Sequence, residues 1–224
     1  MGGNTMKKKP SIPLTVGILI LFLTPFAVTA LMLRSAERIN AFRPAEQEIV
    51  ISENGSKAVA TQEKVIEWSA NTNASGNHVA AKEIQLGENC NPNGGYLRVR
   101  LVPTWVDASG CVVSGVEDVT DIRHIELSGD ALLFKDSNDE AIITVNLDAD
   151  WAAEWKTVAD ANDDVEYFES LLPVKSGDAQ KKLVSSVEIS DDILQKAQAK
   201  NVFLRIDVLA DTIQTSGNAK TDRW

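Results

Sequence analysis

The chain reads as an all-β protein, an antiparallel sandwich or barrel with one or two short helices, behind an N-terminal apolar helix. Three observations predict this. From Glu48 onward, short segments rich in β-branched and aromatic residues are punctuated by Asn, Gly, Asp and Ser. Several of those segments alternate apolar and polar residues with a period of two, so one face meets a core and the other meets water. Ahead of them, the run Ile12 to Leu33 carries no charge and closely follows Lys7, Lys8 and Lys9.

That basic cluster, the apolar run and small residues near its end are the parts of a secretory signal. Pro25 breaks the helix shortly before a cut between Ala30 and Leu31, where Val28 and Ala30 fill the small pockets of a signal peptidase. A retained transmembrane anchor is the competing reading, since about 20 apolar residues suffice to cross a bilayer. Under both readings the lysines hold the N-terminal end inside and the bulk of the chain is exported. The expected segments are 1–30 as signal peptide or retained anchor, 31–45 as an N-terminal segment, 46–217 as the β-sandwich domain and 218–224 as a C-terminal tail.

Removal of residues 1–30 leaves 194, enough for one all-β domain of ordinary core size. The whole chain has 22 basic and 32 acidic side chains. Without the three leader lysines, 19 basic face 32 acidic, a formal charge of −13. Such a balance repels nucleic acid and anionic lipid. Contact with a membrane is expected only through the N-terminal helix before cleavage.

The first expected strands are Ile49 to Ser52, Lys64 to Ala70 and Val79 to Leu86. Tyr96 to Trp105 is the clearest: Tyr96, Arg98 and Arg100 share one face, Leu97, Val99 and Leu101 the other. Pro103 places an edge or a bulge near its end, and the two arginines read as solvated partners of neighbouring carboxylates. Ala131 to Phe134, Ala141 to Leu147, Val165 to Ser170 and Lys181 to Ser190 follow. The last strand, Val202 to Gln214, sets Leu204, Ile206 and Val208 opposite Arg205, Asp207 and Leu209. Before it, Ser190 to Ala197 reads as a short helix with Ser190 as N-cap and acids in its first turn. Asp150 to Ala159 fits helical spacing of Trp151, Trp155, Val158 and Ala159 and strand alternation of Trp151, Ala153 and Trp155 equally well.

Cys90 and Cys111 are the only cysteines, and an exported pair suggests a disulfide. Geometry opposes it. If the strand between them is extended at ~3.3 Å per residue, its flanking loops lie roughly 30 Å apart, far beyond the reach of one bridge. A bridge then needs a loop folded back along the sheet, or joins two molecules.

The residue types of hydrolases and metalloenzymes are scarce. His78 and His124 are far apart, and there is no His-Glu-x-x-His, no Gly-x-Ser-x-Gly, no phosphate-cradling glycine loop and no Cys-x-x-Cys. Asp136 to Glu140 and Asp160 to Asp164 are oxygen-rich but do not follow the EF-hand pattern, and read as solvated turns. Asn54-Gly55-Ser56 and Asn73-Ala74-Ser75 match a glycosylation sequon, which matters only in a host with that machinery. Of the tryptophans Trp68, Trp105, Trp151, Trp155 and Trp224, the first two read as core residues. No catalytic, cofactor-binding or metal-ligating residue is expected.

Four stretches, in order, resemble the TasA/camelysin family of exported bacterial proteins, which are processed by a dedicated signal peptidase. Thr29-Ala30 with Ala36 to Phe42 resembles the family's cleavage region. Tyr96 to Trp105 resembles its Tyr-Val-Arg-Val strand. Tyr167-Phe168 through Leu171-Leu172-Pro173 to Leu183 to Ile189 resembles its aromatic run, turn and returning strand. Leu204 to Gln214 resembles its closing strand with Ala-x-x-Ile-Gln, the most specific of the four.

The resemblance implies a secreted jelly-roll sandwich whose fibre-forming relatives polymerise by donor-strand exchange, the N-terminal segment of one subunit completing the sheet of the next. Here the donor would be Leu31 to Phe42, with Leu31, Leu33, Ile39 and Phe42 as its apolar residues. The expected function is a non-catalytic subunit of an extracellular surface or biofilm-matrix fibre, whose partners are itself, head to tail, and the signal peptidase. The alternatives are a monomeric or membrane-tethered cell-surface binding module and, less favoured, a secreted protease, an activity carried by the camelysin name.

Overall fold

The computed structural model describes residues 48–57, 65–113, 116 and 122–215. Strands and helices run in the order β1 (Ile49–Glu53), β2 (Ser56–Lys57), β3 (Asn77–Glu88), β4 (Gly95–Val106), β5 (His124–Ser128), β6 (Ala131–Lys135), β7 (Ala141–Leu147), α1 (Trp151–Glu154), β8 (Trp155–Ala159), β9 (Val165–Ser170), β10 (Lys181–Ser190), α2 (Asp191–Ala199) and β11 (Phe203–Gln214). They build two antiparallel sheets packed as a sandwich. The larger has the order β2-β1-β3-β10-β7-β6-β5 and the smaller β11-β4-β9-β8.

Alternation decides what goes inside. Leu97, Val99 and Leu101 of β4, Leu204 and Ile206 of β11, and Phe168 of β9 are buried from the smaller sheet. Ile84 and Leu86 of β3, Ile143 and Val145 of β7, Phe134 of β6, and Val187 and Ile189 of β10 meet them from the larger. Fully burying side chains of this size is worth about 1.5–3 kcal/mol each.

α2 starts where expected: Ser190 Oγ accepts the Ile193 N–H at 3.4 Å, and Asp191 and Asp192 fill the first turn. Asp150 to Ala159 is both of the alternatives in succession, one helical turn (α1) and then a strand (β8). The change falls at Trp155, whose indole N–H reaches the Lys182 carbonyl at 2.9 Å. Trp105, Trp151 and Trp155 are buried, Trp68 is half-buried against the core, and Trp224 lies outside the described residues.

Lys64 to Ala70 is not a strand, contrary to the sequence expectation; its described part, from Val65, has no ladder. Ile66 is buried and Val65 and Glu67 are exposed, so the alternation is real. The segment crosses between the sheets: Ile66 N–H bonds the Leu204 carbonyl of β11 at 2.8 Å, and Ser69 N–H the Val79 carbonyl of β3 at 3.1 Å. Groups that bond alternately to two sheets cannot propagate one ladder.

Four five-residue turns share one construction: Asn73–Asn77, Asp107–Cys111, Asp136–Glu140 and Asp160–Asp164. In each the first side-chain oxygen accepts the amides of the third and fifth residues, at 2.7–3.1 Å. The fourth residue is left-handed, with φ of +80° at Gly76 and Gly110, +64° at Asp139 and +63° at Asp163. Short Asx side chains suit this because they close the turn locally and tolerate positive φ. The acid-rich loops are therefore hairpin turns. The Glu140 amide foremost holds the Asp136 carboxyl below its ordinary value.

Candidate functional site: the open edge of the smaller sheet

β11 is twelve residues long and lies at the margin of its sheet; among the described residues its one ladder partner is β4, along the register Phe203↔Val106 to Gln214↔Gly95. Its outer-face side chains fasten it there. Arg98 clasps Asp211, with Nε 3.0 Å from Oδ1 and Nη2 2.5 Å from Oδ2, and its guanidinium lies 4.9 Å from the centre of the Tyr167 ring. Asp211 foremost raises the Arg98 pKa further above its ordinary value. The Thr104 hydroxyl donates to Asp207 Oδ2 at 2.8 Å, and Arg205 Nε to Asp207 Oδ1 at 2.5 Å. Arg98 thus meets a carboxylate as expected. Arg100 is exposed and makes no ion pair among the described residues.

In an antiparallel strand the backbone groups alternate between the two margins with the same period of two. Three contacts fix the phase here. The Leu204 carbonyl points away from β4, to Ile66. Leu97, opposite Thr212, sends its N–H across β4 to Ser170 Oγ at 2.9 Å. Pro103, opposite Ile206, has no N–H to offer β11 at all. Ile206, Val208, Ala210 and Thr212 therefore turn both N–H and C=O outward. Among the described residues nothing bonds to those groups, and Ile66 covers the edge only at Leu204.

The other strands at the ends of the two sheets are shorter, five residues at β5, five at β8 and two at β2, while among the described residues β4 beyond Val99 and β3 before Ile84 also lack a ladder partner on one side. Short edges resist strand addition, whereas a long flat one invites it. At the far end of β11, the Thr212 hydroxyl is buried without a hydrogen-bond partner among the described residues. Gly95 packs against it so closely that a Cβ there would overlap the Thr212 oxygen. Gly94 beside it has φ +80°, a conformation that favours glycine.

Pro103 is at an edge in a local sense: β9 pairs with β4 only at Arg98 and Val99, so at Pro103 β11 is the one bonded neighbour. Cys90 and Cys111 are exposed at opposite ends of β4, and no sulfur–sulfur bond joins them. His78 bridges Ser69 O and Asp191 Oδ1, at 2.9 and 3.0 Å, while His124 lies 3.5 Å from Asp164. Asn73, in a sequon, donates its amide to Glu188 at 2.9 Å. Among the described residues no three His, Cys, Asp or Glu converge on a metal-sized site, and no helix is long and apolar enough to cross a membrane. Ala30, Leu31, Leu33, Ile39 and Phe42 lie outside the described residues.

Sequence reasoning missed β5, although Ile125 and Leu127 alternate with His124, Glu126 and Ser128 before a Gly129-Asp130 turn. It also missed Ile66 as the residue that caps the β11 edge, which no local pattern reveals.

Comparison of the chain with models of known protein families, with curated proteins and with solved structures found no match.

Proposed function

We propose that the protein is a secreted, non-catalytic subunit of an extracellular surface or biofilm-matrix fibre, its jelly-roll-like sandwich extended by a strand lent from a neighbouring copy. The backbone edge at Ile206, Val208, Ala210 and Thr212, unanswered among the described residues, carries this reading. An added strand satisfies those groups, and pockets for its alternate side chains set the register. The segment Leu31 to Phe42 is the donor, with Leu31, Leu33, Ile39 and Phe42 as its apolar residues. Such a contact is head to tail, does not close and grows a filament.

Deletion of the donor separates this from a monomeric surface module. The chain processed at Leu31 forms filaments on concentration, and a chain beginning at Glu46 stays monomeric in light scattering. Equal polymerisation of both forms overturns the proposal.

A further inference from the structure

We infer that Cys90 of one copy and Cys111 of the next form a disulfide, so that the fibre is also a covalent head-to-tail chain; this rests on the strand-addition reading above. An internal bridge is closed off by β4. Its twelve residues separate the two loops by about 35 Å at the usual rise per residue, and a bridge spans Cα atoms only about 4.4–6.8 Å apart. β4 cannot fold back, because it is paired with β11 along its whole length and buries Leu97, Val99, Leu101 and Trp105. Both thiols are exposed, one at each pole of the sandwich.

The poles are matched to the two ends of the strand exchange. Glu48, where the described chain starts, lies against the Cys90 loop: its Oε2 is 3.5 Å from Cys90 Sγ, its carbonyl accepts the Asn89 N–H at 2.9 Å, and its N–H reaches Glu88 Oε1 at 3.0 Å. The chain therefore enters the sandwich, at Glu48, on the Cys90 pole. At the other pole, β11 begins with Phe203 opposite Val106, and the Asp107–Cys111 turn follows directly from β4.

Every ladder among the described residues is antiparallel. A donor added antiparallel to the open part of β11 has its C-terminal end at Ile206, towards the acceptor's Cys111 pole. The body attached to that end arrives with its Cys90 loop leading, and Cys90 faces Cys111 of the acceptor. Addition in the parallel sense would bring Cys90 to Cys90 instead.

The oxidant is a small-molecule disulfide such as oxidised glutathione. The Cys90 thiolate attacks one of its sulfurs and releases one glutathione thiolate. The Cys111 thiolate of the neighbour then attacks Sγ of Cys90 in the mixed disulfide and releases the second. One protein disulfide forms, one small disulfide is reduced to two thiols, and the protons lost from the cysteines end on the released thiolates.

The test uses the full chain made in a secreting host, concentrated with oxidised glutathione and read by non-reducing electrophoresis, peptide mass spectrometry and electron microscopy. The expected result is filaments, a ladder of covalent multimers that collapses on reduction, and one linked peptide pair, Cys90 with Cys111. Cys90→Ser and Cys111→Ser each give monomer bands alone, and an equimolar mixture of the two gives a dimer band. The Cys90→Ser/Cys111→Ser protein still forms filaments. Dimers from either single variant alone, or filaments without a ladder, overturn the cross-link and leave the fibre reading standing. Absence of both filaments and ladder overturns both.

Discussion

Val208→Pro tests the open edge with the least disturbance to the sandwich itself. Val208 turns its N–H away from β4, so proline there removes no ladder bond within the subunit. The cost to the fold is the partial loss of one half-buried side chain, about 1 kcal/mol. The cost to strand addition is larger. Val208 sits inside the outward series Ile206, Val208, Ala210, Thr212, and proline deletes one donor, worth about 1 kcal/mol as a net hydrogen bond. It also leaves a carbonyl of the donor buried and unanswered, costing a further 1–3 kcal/mol or so. The sum, about 2–4 kcal/mol, raises the concentration needed for filaments roughly 30- to 1000-fold, at about 1.4 kcal/mol per factor of ten. Light scattering across a dilution series reads that threshold, and thermal unfolding confirms that the subunit is intact. Leu209→Pro is the contrast, because its N–H faces β4 and its loss unfolds the edge. If Val208→Pro forms filaments at the wild-type concentration, the added strand does not lie on β11.

The ring nitrogens of His78 lie 2.9 Å from Ser69 O and 3.0 Å from Asp191 Oδ1, so its charged form can donate to both, and Asp191 foremost raises its pKa above the ordinary value. The charged form is favoured in the folded state, so its contribution is fully present below about pH 6.5 and is lost as pH rises through the folded pKa. His78→Gln should destabilise the fold more at about pH 5.5 than at about pH 9, by no more than about 1 kcal/mol since Asp191 is half exposed, as read by thermal unfolding at the two pH values; an equal loss at both contradicts the assignment. Glu88 Oε1 accepts three amides, of Glu48, Cys90 and Asn91, at 3.0–3.1 Å in a site 5% exposed. Glu88→Ala should cost about 3 kcal/mol or more in denaturant titration, with Glu88→Gln recovering part of it. Gly95→Ala drives a methyl into the Thr212 hydroxyl and should cost about 1–3 kcal/mol. Thr212→Ala in the same chain should recover part of that loss, a coupling that a double-mutant cycle measures.

Strands with clean alternation and distinct punctuation were legible, as were their inward faces: Ala141–Leu147, Val165–Ser170 and Lys181–Ser190 have the bounds their residues predict. Strands fail to be read where neighbours rather than residues decide. Val65 to Ala70 has the period of a strand, yet its bonds go to two sheets, and only tertiary placement reveals that. Asp150 to Ala159 changes from helix to strand within ten residues because Trp151 and Trp155 are both buried, from different local geometries. The length of β11 and its facing residues were visible in the sequence. That its outer margin is open was not, because this depends on strand order. The four Asx turns were present as a repeated spacing of Asn or Asp, a small or polar pair, and Gly or Asp, a signal that reads as loop polarity until the left-handed fourth residue is seen.

Amide hydrogen exchange at β11, compared between dispersed subunits and filaments, tests the central claim most directly. The amides of Ile206, Val208, Ala210 and Thr212 should exchange quickly in the subunit and become protected in the filament, while those of Arg205, Asp207 and Leu209, already bonded to β4, are protected in both. Filaments in which the four outward amides still exchange at the subunit rate contradict it.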